Sequence, residues 1–268
     1  MFSPASKPAI LTILFLSLFH PAISQDLEVG LTVGGSYYLG DLNPGKHFIN
    51  SQPAFGLVAR YNLDTRWSVK LSGTRGELNG NSSSSPFLPE RGLSFASSLT
   101  DISGVVEFNF LPYFTGSYKS TATPYIFAGI SVFFFNPMSN GVSLRSLGTE
   151  GQNIGYKDRS PYGTTGISIP FGLGGKFSLT NRLGLQVYWE MHKTFTDYID
   201  DVSTTYYLIS RDINKNDLAS VMSDPTLNHD PGMQRGNSTT NDCYSFFGVA
   251  ITYKFNLIST KKCRDLSN

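Results

Sequence analysis

Charge and long greasy runs are what this chain has least of. Asp, Glu, Lys and Arg make up 15% of its 268 residues, and the formal net charge is +1. One of those cations, Lys7, falls in a segment expected to be removed, which leaves the remainder near zero. Such a balance offers no electrostatic case for nucleic acid. Beyond the N-terminus no stretch approaches the ~20 apolar residues that a membrane-crossing helix needs. Histidine is scarce too: His20 falls in the removable segment and His47 and His229 stand alone, so no zinc spacing appears. Neither a Ser-His-Asp order nor a nucleophile elbow is legible. The glycine-rich FGLGGKF at 171–177 is followed by no helix and keeps a period of two, which argues against a phosphate loop.

Aromatic residues are abundant, with 20 Phe and 14 Tyr. Near the C-terminal end the apolar residues Phe247, Val249, Ile251, Tyr253 and Phe255 alternate with Gly248, Ala250, Thr252 and Lys254. A period of two is a β-strand with one greasy and one polar face. Either the greasy face meets a packed core, as in a sandwich, or it meets lipid, as in an outer-membrane barrel.

The N-terminus favours lipid. Residues 1–24 combine Lys7, an apolar run at 9–19 and Ala22-Ile23-Ser24 ahead of Gln25, the pattern of a secretory signal peptide. The residue right after that point is Gln25 and not cysteine, so no lipoprotein is expected. An exported, aromatic, alternating chain is expected in the outer membrane of a diderm bacterium.

Seven further alternating stretches precede the last. Their outward rows begin at Leu27, Phe55, Trp67, Ile102, Ile126, Ile167 and Leu183. In the fifth, both faces are apolar, and Ile126, Ala128, Ile130, Val132 and Phe134 are assigned outward. Long connections at 40–52, 77–100, 137–166 and 197–242 alternate with tight turns at 64–66 and 180–182 and a middling one at 111–123. The Ser-rich insert 77–100 reads as an exposed loop. Eight strands with long connections on one side and short ones on the other define an eight-stranded antiparallel transmembrane β-barrel, with long extracellular loops and short periplasmic turns. Three regions are expected: a signal peptide at 1–24, the barrel at 25–255 and a periplasmic tail at 256–268.

The inward rows hold Glu28, Arg60, Lys70, Glu107, Lys176, Glu190, His192 and Lys254. A barrel of eight strands is just wide enough for side chains to fill. These charges are nearly balanced, so they are expected to pair and plug a polar lumen, which argues against a porin. Outside the lumen, Asp197, Asp200 and Asp201 follow His192 where the seventh strand meets the loops. Three readings stay open for them: ordering of a long loop, calcium binding by hard oxygens, or rim hydrolysis with His192. The chain is otherwise read as a non-enzyme without cofactor, a small channel or adhesin being the remaining class.

Cys243 and Cys263 flank the last strand, and at ~3.3 Å per residue they fall on opposite sides of the bilayer, too far apart to pair. An unpaired thiol in an oxidising compartment suggests an intermolecular bridge or a buried bystander. Cys263 lies in a basic tail with Lys261, Lys262 and Arg264, where it could bond a periplasmic partner. Tyr113 and Lys119 of the middling turn are the other candidate partner contacts.

Eight stretches carry a more specific signal: GGSYYLGDLN (34–43), ARYNLDTRWSVKL (59–71), ISGVVEFNF (102–110), PYIFAGISVFFFNP (124–137), LGTEGQ (147–152), ISIPFGLGGKF (167–177), KTFTDYIDDVSTTY (193–206) and QRGN (234–237). Together they resemble the PorG family, the outer-membrane barrels of the Bacteroidota type IX secretion system. That resemblance implies a structural role, attached to a periplasmic ring of the lipoprotein PorK and its partner PorN, in a machine that exports proteins bearing a C-terminal sorting domain and, in gliding relatives, accompanies motility.

Overall fold

The computed structural model describes residues 26–85, 88–209 and 217–256. The leader 1–24 and the tail beyond Asn256, with Lys261, Lys262, Cys263 and Arg264, lie outside the described residues.

Eight long strands follow one another as β1 (Asp26–Leu39), β2 (Gln52–Asn62), β3 (Trp67–Asn81), β4 (Ser94–Asn109), β5 (Ala122–Ser139), β6 (Thr165–Ser178), β7 (Leu183–Thr194) and β8 (Cys243–Asn256). Each pairs antiparallel with its sequence neighbours, and β1 pairs with β8, so the sheet closes on itself. The closure is staggered. From Val33 one line of partners runs through Phe55, Arg75, Thr100 and Phe134 to Thr165. The other way it runs through Val249 and Val187 and meets the same strand at Gly175. Such a shear forces the strands to tilt about the barrel axis.

Both described ends of the barrel wall, Asp26 and Asn256, pair with each other, which defines its lower end. Two lower turns are written in the local sequence. Asp64 Oδ1 accepts from the main-chain N–H of Arg66 at 2.6 Å and of Trp67 at 2.8 Å, and Thr180 Oγ1 accepts from Leu183 at 3.0 Å. The third, residues 110–121, is longer. The described residues of the long connections 40–51, 82–93, 140–164 and 195–242 all lie at the upper end.

Outward positions form an apolar belt: Leu31 is 65% exposed, Leu57 63% and Ile130 71%. In water so much contiguous apolar surface would drive association. Against hydrocarbon it is the satisfied state, while the closed ladder leaves no backbone edge unpaired.

The insert 77–100 is not the loop its composition suggested. β3 continues to Asn81 and β4 begins at Ser94, paired down to Asn81↔Ser94. Here the greasy face changes sides. Outward positions are polar (Arg75, Glu77, Ser98), while Leu78, Phe95 and Leu99 point inward and are buried. This part of the hairpin stands above the belt, where the outside is water and the inside is packed.

The interior consequently has two storeys. Below, it is polar and ionic. Above, Tyr38, Leu78, Leu99, Phe133, Phe246 and neighbours form a hydrophobic core joined by loop residues Leu42, Leu144, Ile199 and Val202. Two short helices, α1 (Leu144–Leu147) and α2 (Leu218–Ser223), lie in the capping loops.

An arginine introduced into the belt at Leu57 should weaken folding into lipid vesicles by about 2–4 kcal/mol if it lies near the midplane. Arg75→Leu, above the belt, should change the same denaturant titration little.

Candidate functional site

The lower storey is organised on Arg60, which is 2% exposed. Its Nε donates to Glu107 Oε2 at 2.7 Å and its Nη1 to Glu28 Oε2 at 3.0 Å, while Nη2 bonds Gln186. Lys176 Nζ reaches the same Glu107 oxygen at 2.7 Å and Asn109 at 2.9 Å. Lys70 lies between Glu107 (3.8 Å) and Glu190 (3.7 Å). His192 then continues the chain, with Nε2 3.2 Å from Glu190 and Nδ1 3.6 Å from Asp101.

Glycine makes room for part of this. A Cβ on Gly172 would sit 2.6 Å from the Phe127 ring, and one on Gly174 would sit 2.7 Å from Tyr125. Those rings in turn face the two lysines, with Lys70 Nζ 4.5 Å from the Phe127 centroid and Lys176 Nζ 4.6 Å from that of Tyr125. Each of these buried ammonium groups thus gains a π face.

Lys254 does not join this network. It lies at the lower mouth, 3.6 Å from Asp26 and over the Phe114 ring. Asp101, absent from the inward set read in the sequence, is a member, accepting from Tyr244 OH at 2.7 Å. It lies between the insert 77–100, expected to be a loop, and Ile102, where the fourth outward row begins, so the alternation along that row does not reach it.

The upper mouth is closed by a second buried network built from loops. Glu150 accepts from the N–H groups of Ser203 (2.9 Å) and Thr204 (3.0 Å) and pairs with Arg235 at 3.0 Å. Arg235 also lies 3.7 Å from Asp201. Arg91 donates to the carbonyls of Arg235 and of Asp41, the latter at 2.9 Å. Loops far apart in sequence are thereby cross-tied. Nothing in the sequence marked Glu150 except its place in the LGTEGQ stretch.

The three aspartates after β7 are held in different ways. Asp200 Oδ2 accepts from Tyr38 OH at 2.5 Å, Asp201 from Tyr162 OH at 2.6 Å and from Thr149, and Asp197 has a buried Oδ2 without a hydrogen-bond partner. Among the described residues no three His, Cys, Asp or Glu side chains converge as metal donors. The calcium reading gains no support from these contacts: Asp200 is held by Tyr38 and Val202, and Asp201 by Tyr162 and Thr149. The rim-hydrolase reading fails likewise, because His192 lies in the ionic network below, against Glu190 and Asp101. Burial drives the Asp197 carboxyl up to about 8, with Asp41 and Glu150 adding to it. Burial also raises Asp201, to about 6, against the pull of Arg235.

At the lower end, residues 110–121 tuck into the mouth. Thr115 Oγ1 donates to Glu28 at 2.8 Å and Gly116 N–H to Ser178 at 2.8 Å. Tyr113, read as a partner contact, is only 4% exposed with its hydroxyl 3.4 Å from Thr115. It is a stopper, not a docking residue. The residue that protrudes is Tyr118, 85% exposed, beside exposed Lys119. Cys243, at the upper start of β8, is a half-buried free thiol.

These features define a class: a closed eight-stranded barrel of the outer-membrane type, packed shut at both storeys. The chain belongs to the family described as "Domain of unknown function (DUF6089)", whose model matches residues 7–263. No curated protein matches it in sequence. Solved structures similar to it include Neisserial surface protein A, at 11% identity and TM-score 0.46, covering 85% of this chain and 97% of that one. Others are the attachment invasion locus protein Ail of Yersinia pestis (10%, 0.43, 87% and 100%) and OprG of Pseudomonas aeruginosa (10%, 0.42, 87% and 97%). The barrel itself rests on its own closed ladder of strand pairs, and these likenesses carry no function across.

Replacing Arg60 with Ala leaves Glu28 and Glu107 buried without their shared partner. The loss should be about 3–5 kcal/mol, read as a lower temperature for the heat-induced shift of the barrel in gels. Arg60→Lys should recover only part, since an ammonium lacks the fork that spans both carboxylates.

Proposed function

We propose that this protein is a non-enzymatic anchor in the outer membrane. It serves a secretion complex of the type IX kind by docking a periplasmic ring through its lower end. One observation carries the reading: the interior is filled from lower mouth to cap, so surfaces, not a passage, are left to do the work. Arg60, Lys176, Glu107 and His192 are each no more than 2% exposed. An anchor of this kind needs rigidity and one presented face. The tight turns 63–66 and 179–182 offer little, whereas 110–121 is pinned to Glu28 and Ser178 and still presents Tyr118 and Lys119.

The resemblance to PorG supplies the partner class, ring proteins similar to PorK and PorN. The signal peptide 1–24 would deliver the chain, and the long loops would then be extracellular. The tail residues Lys261, Lys262 and Arg264 would add charge to the docking face, and Cys263 could bond a partner thiol.

The test is co-purification from solubilised outer membranes. Tyr118→Ala with Lys119→Ala, and separately truncation after residue 256, should each lower ring recovery several-fold while the barrel keeps its heat-modifiable migration. Full recovery in both variants would remove the docking reading. A heavier non-reducing band that persists in Cys263→Ser would exclude that thiol, and steady conductance in planar bilayers would contradict a sealed anchor.

A further inference from the structure

Tyr38, at the top of β1, holds the longest loop by both ends. Its hydroxyl lies 2.5 Å from Asp200 Oδ2 and 3.0 Å from Asp242 Oδ1. All three side chains are at most 1% exposed. The far oxygens are engaged as well: Asp200 Oδ1 accepts from Val202 N–H and Asp242 Oδ2 from Ile199 N–H, each at 2.9 Å. A phenol carries one proton, but two hydrogen bonds joining three oxygens need two. The second has to sit on a carboxyl. No lysine or arginine among the described residues lies within ion-pair distance of either acid to take its place.

We propose that this carboxyl–phenol–carboxyl cluster is a proton-operated latch: the segments 195–209 and 217–242 stay seated on the barrel mouth while the shared proton is present and release from β1 when it is lost.

The surroundings favour such a device. From the 40–51 loop Asp41 faces the cluster, and from 195–242 itself Asp197 does so. The cations that act on these two acids are Arg91 and Arg235 for Asp41 and Lys193 for Asp197. The Asp197 oxygen buried without a partner gives a second carboxyl that is easier to hold protonated than charged. Phe95 packs edge-on against Tyr38, with centroids 4.9 Å apart, and keeps water from the phenol.

Burial and the neighbouring acids push Asp200 and Asp242 well above the ordinary carboxylate range. The sign follows from that direction. Groups bound more tightly to protons in the closed state stabilise closure below their ordinary range near pH 4, and that stabilisation is lost as pH rises towards the folded values. The latch therefore opens on the alkaline side.

Pulse proteolysis of the full chain in detergent micelles, with proteinase K at pH 6 and pH 9.5, reads the seating of the loop. Cleavage within 195–242 should be at least tenfold faster at the higher pH, with the strands intact. In Asp242→Asn the amide supplies the second hydrogen permanently, so its two rates should agree within about twofold. Asp200→Asn offers the same comparison if the first variant does not fold, as judged by heat-modifiable migration. A wild-type loop equally protected at both pH values would overturn the latch. So would an amide variant that keeps the full pH dependence.

Discussion

A barrel of eight strands encloses too little space for bulk water, so the charged groups turned inward have to be paired mainly with one another. Arg60 is where that constraint is met. One planar guanidinium spans two carboxylates and an amide, and Glu107 passes the connection on to Lys176 and Lys70. The wall is closed by backbone hydrogen bonds, but the filling is closed by this ionic lattice. Its members come from strands on all sides, which makes the lattice a brace across the cylinder as well as a stopper.

The two storeys divide the labour by environment. Within the belt, apolar residues are spent on lipid and the inside is ionic. Above it, where the wall meets water, apolar residues turn inward and build an ordinary protein core with loop residues Leu42, Leu144, Ile199 and Val202. The same alternation therefore serves opposite purposes along one strand. β3 shows the change within a few residues, from outward Leu71 to outward Arg75 and inward Leu78.

That reversal explains what the sequence could and could not say. The belt was legible because a greasy row facing lipid stands out against polar neighbours, as in β8 from Phe247 to Phe255. The inward charges from Glu28 to Glu190 followed from parity alone. The upper halves of β3 and β4 were missed because serine and glycine between inward leucines resemble a loop when the greasy face is assumed to point out. Asp101 was lost with them. Tyr113 looked exposed because it lies in a turn, yet that turn folds into the mouth. The loop network around Glu150 joins residues separated by scores of positions, and no local pattern encodes such pairing.

Because loops 40–51 and 195–209 contribute side chains to the upper core, they carry the obligations of interior sequence. A tag or foreign epitope inserted beside Leu42 or Ile199 would behave as an insertion into a hydrophobic centre and unseat the mouth. The exposed turn at Asn140-Gly141, where Val142 and Ser143 pair back onto the end of β5 and both turn residues lie in the left-handed region, is a place where added sequence leaves the cylinder undisturbed.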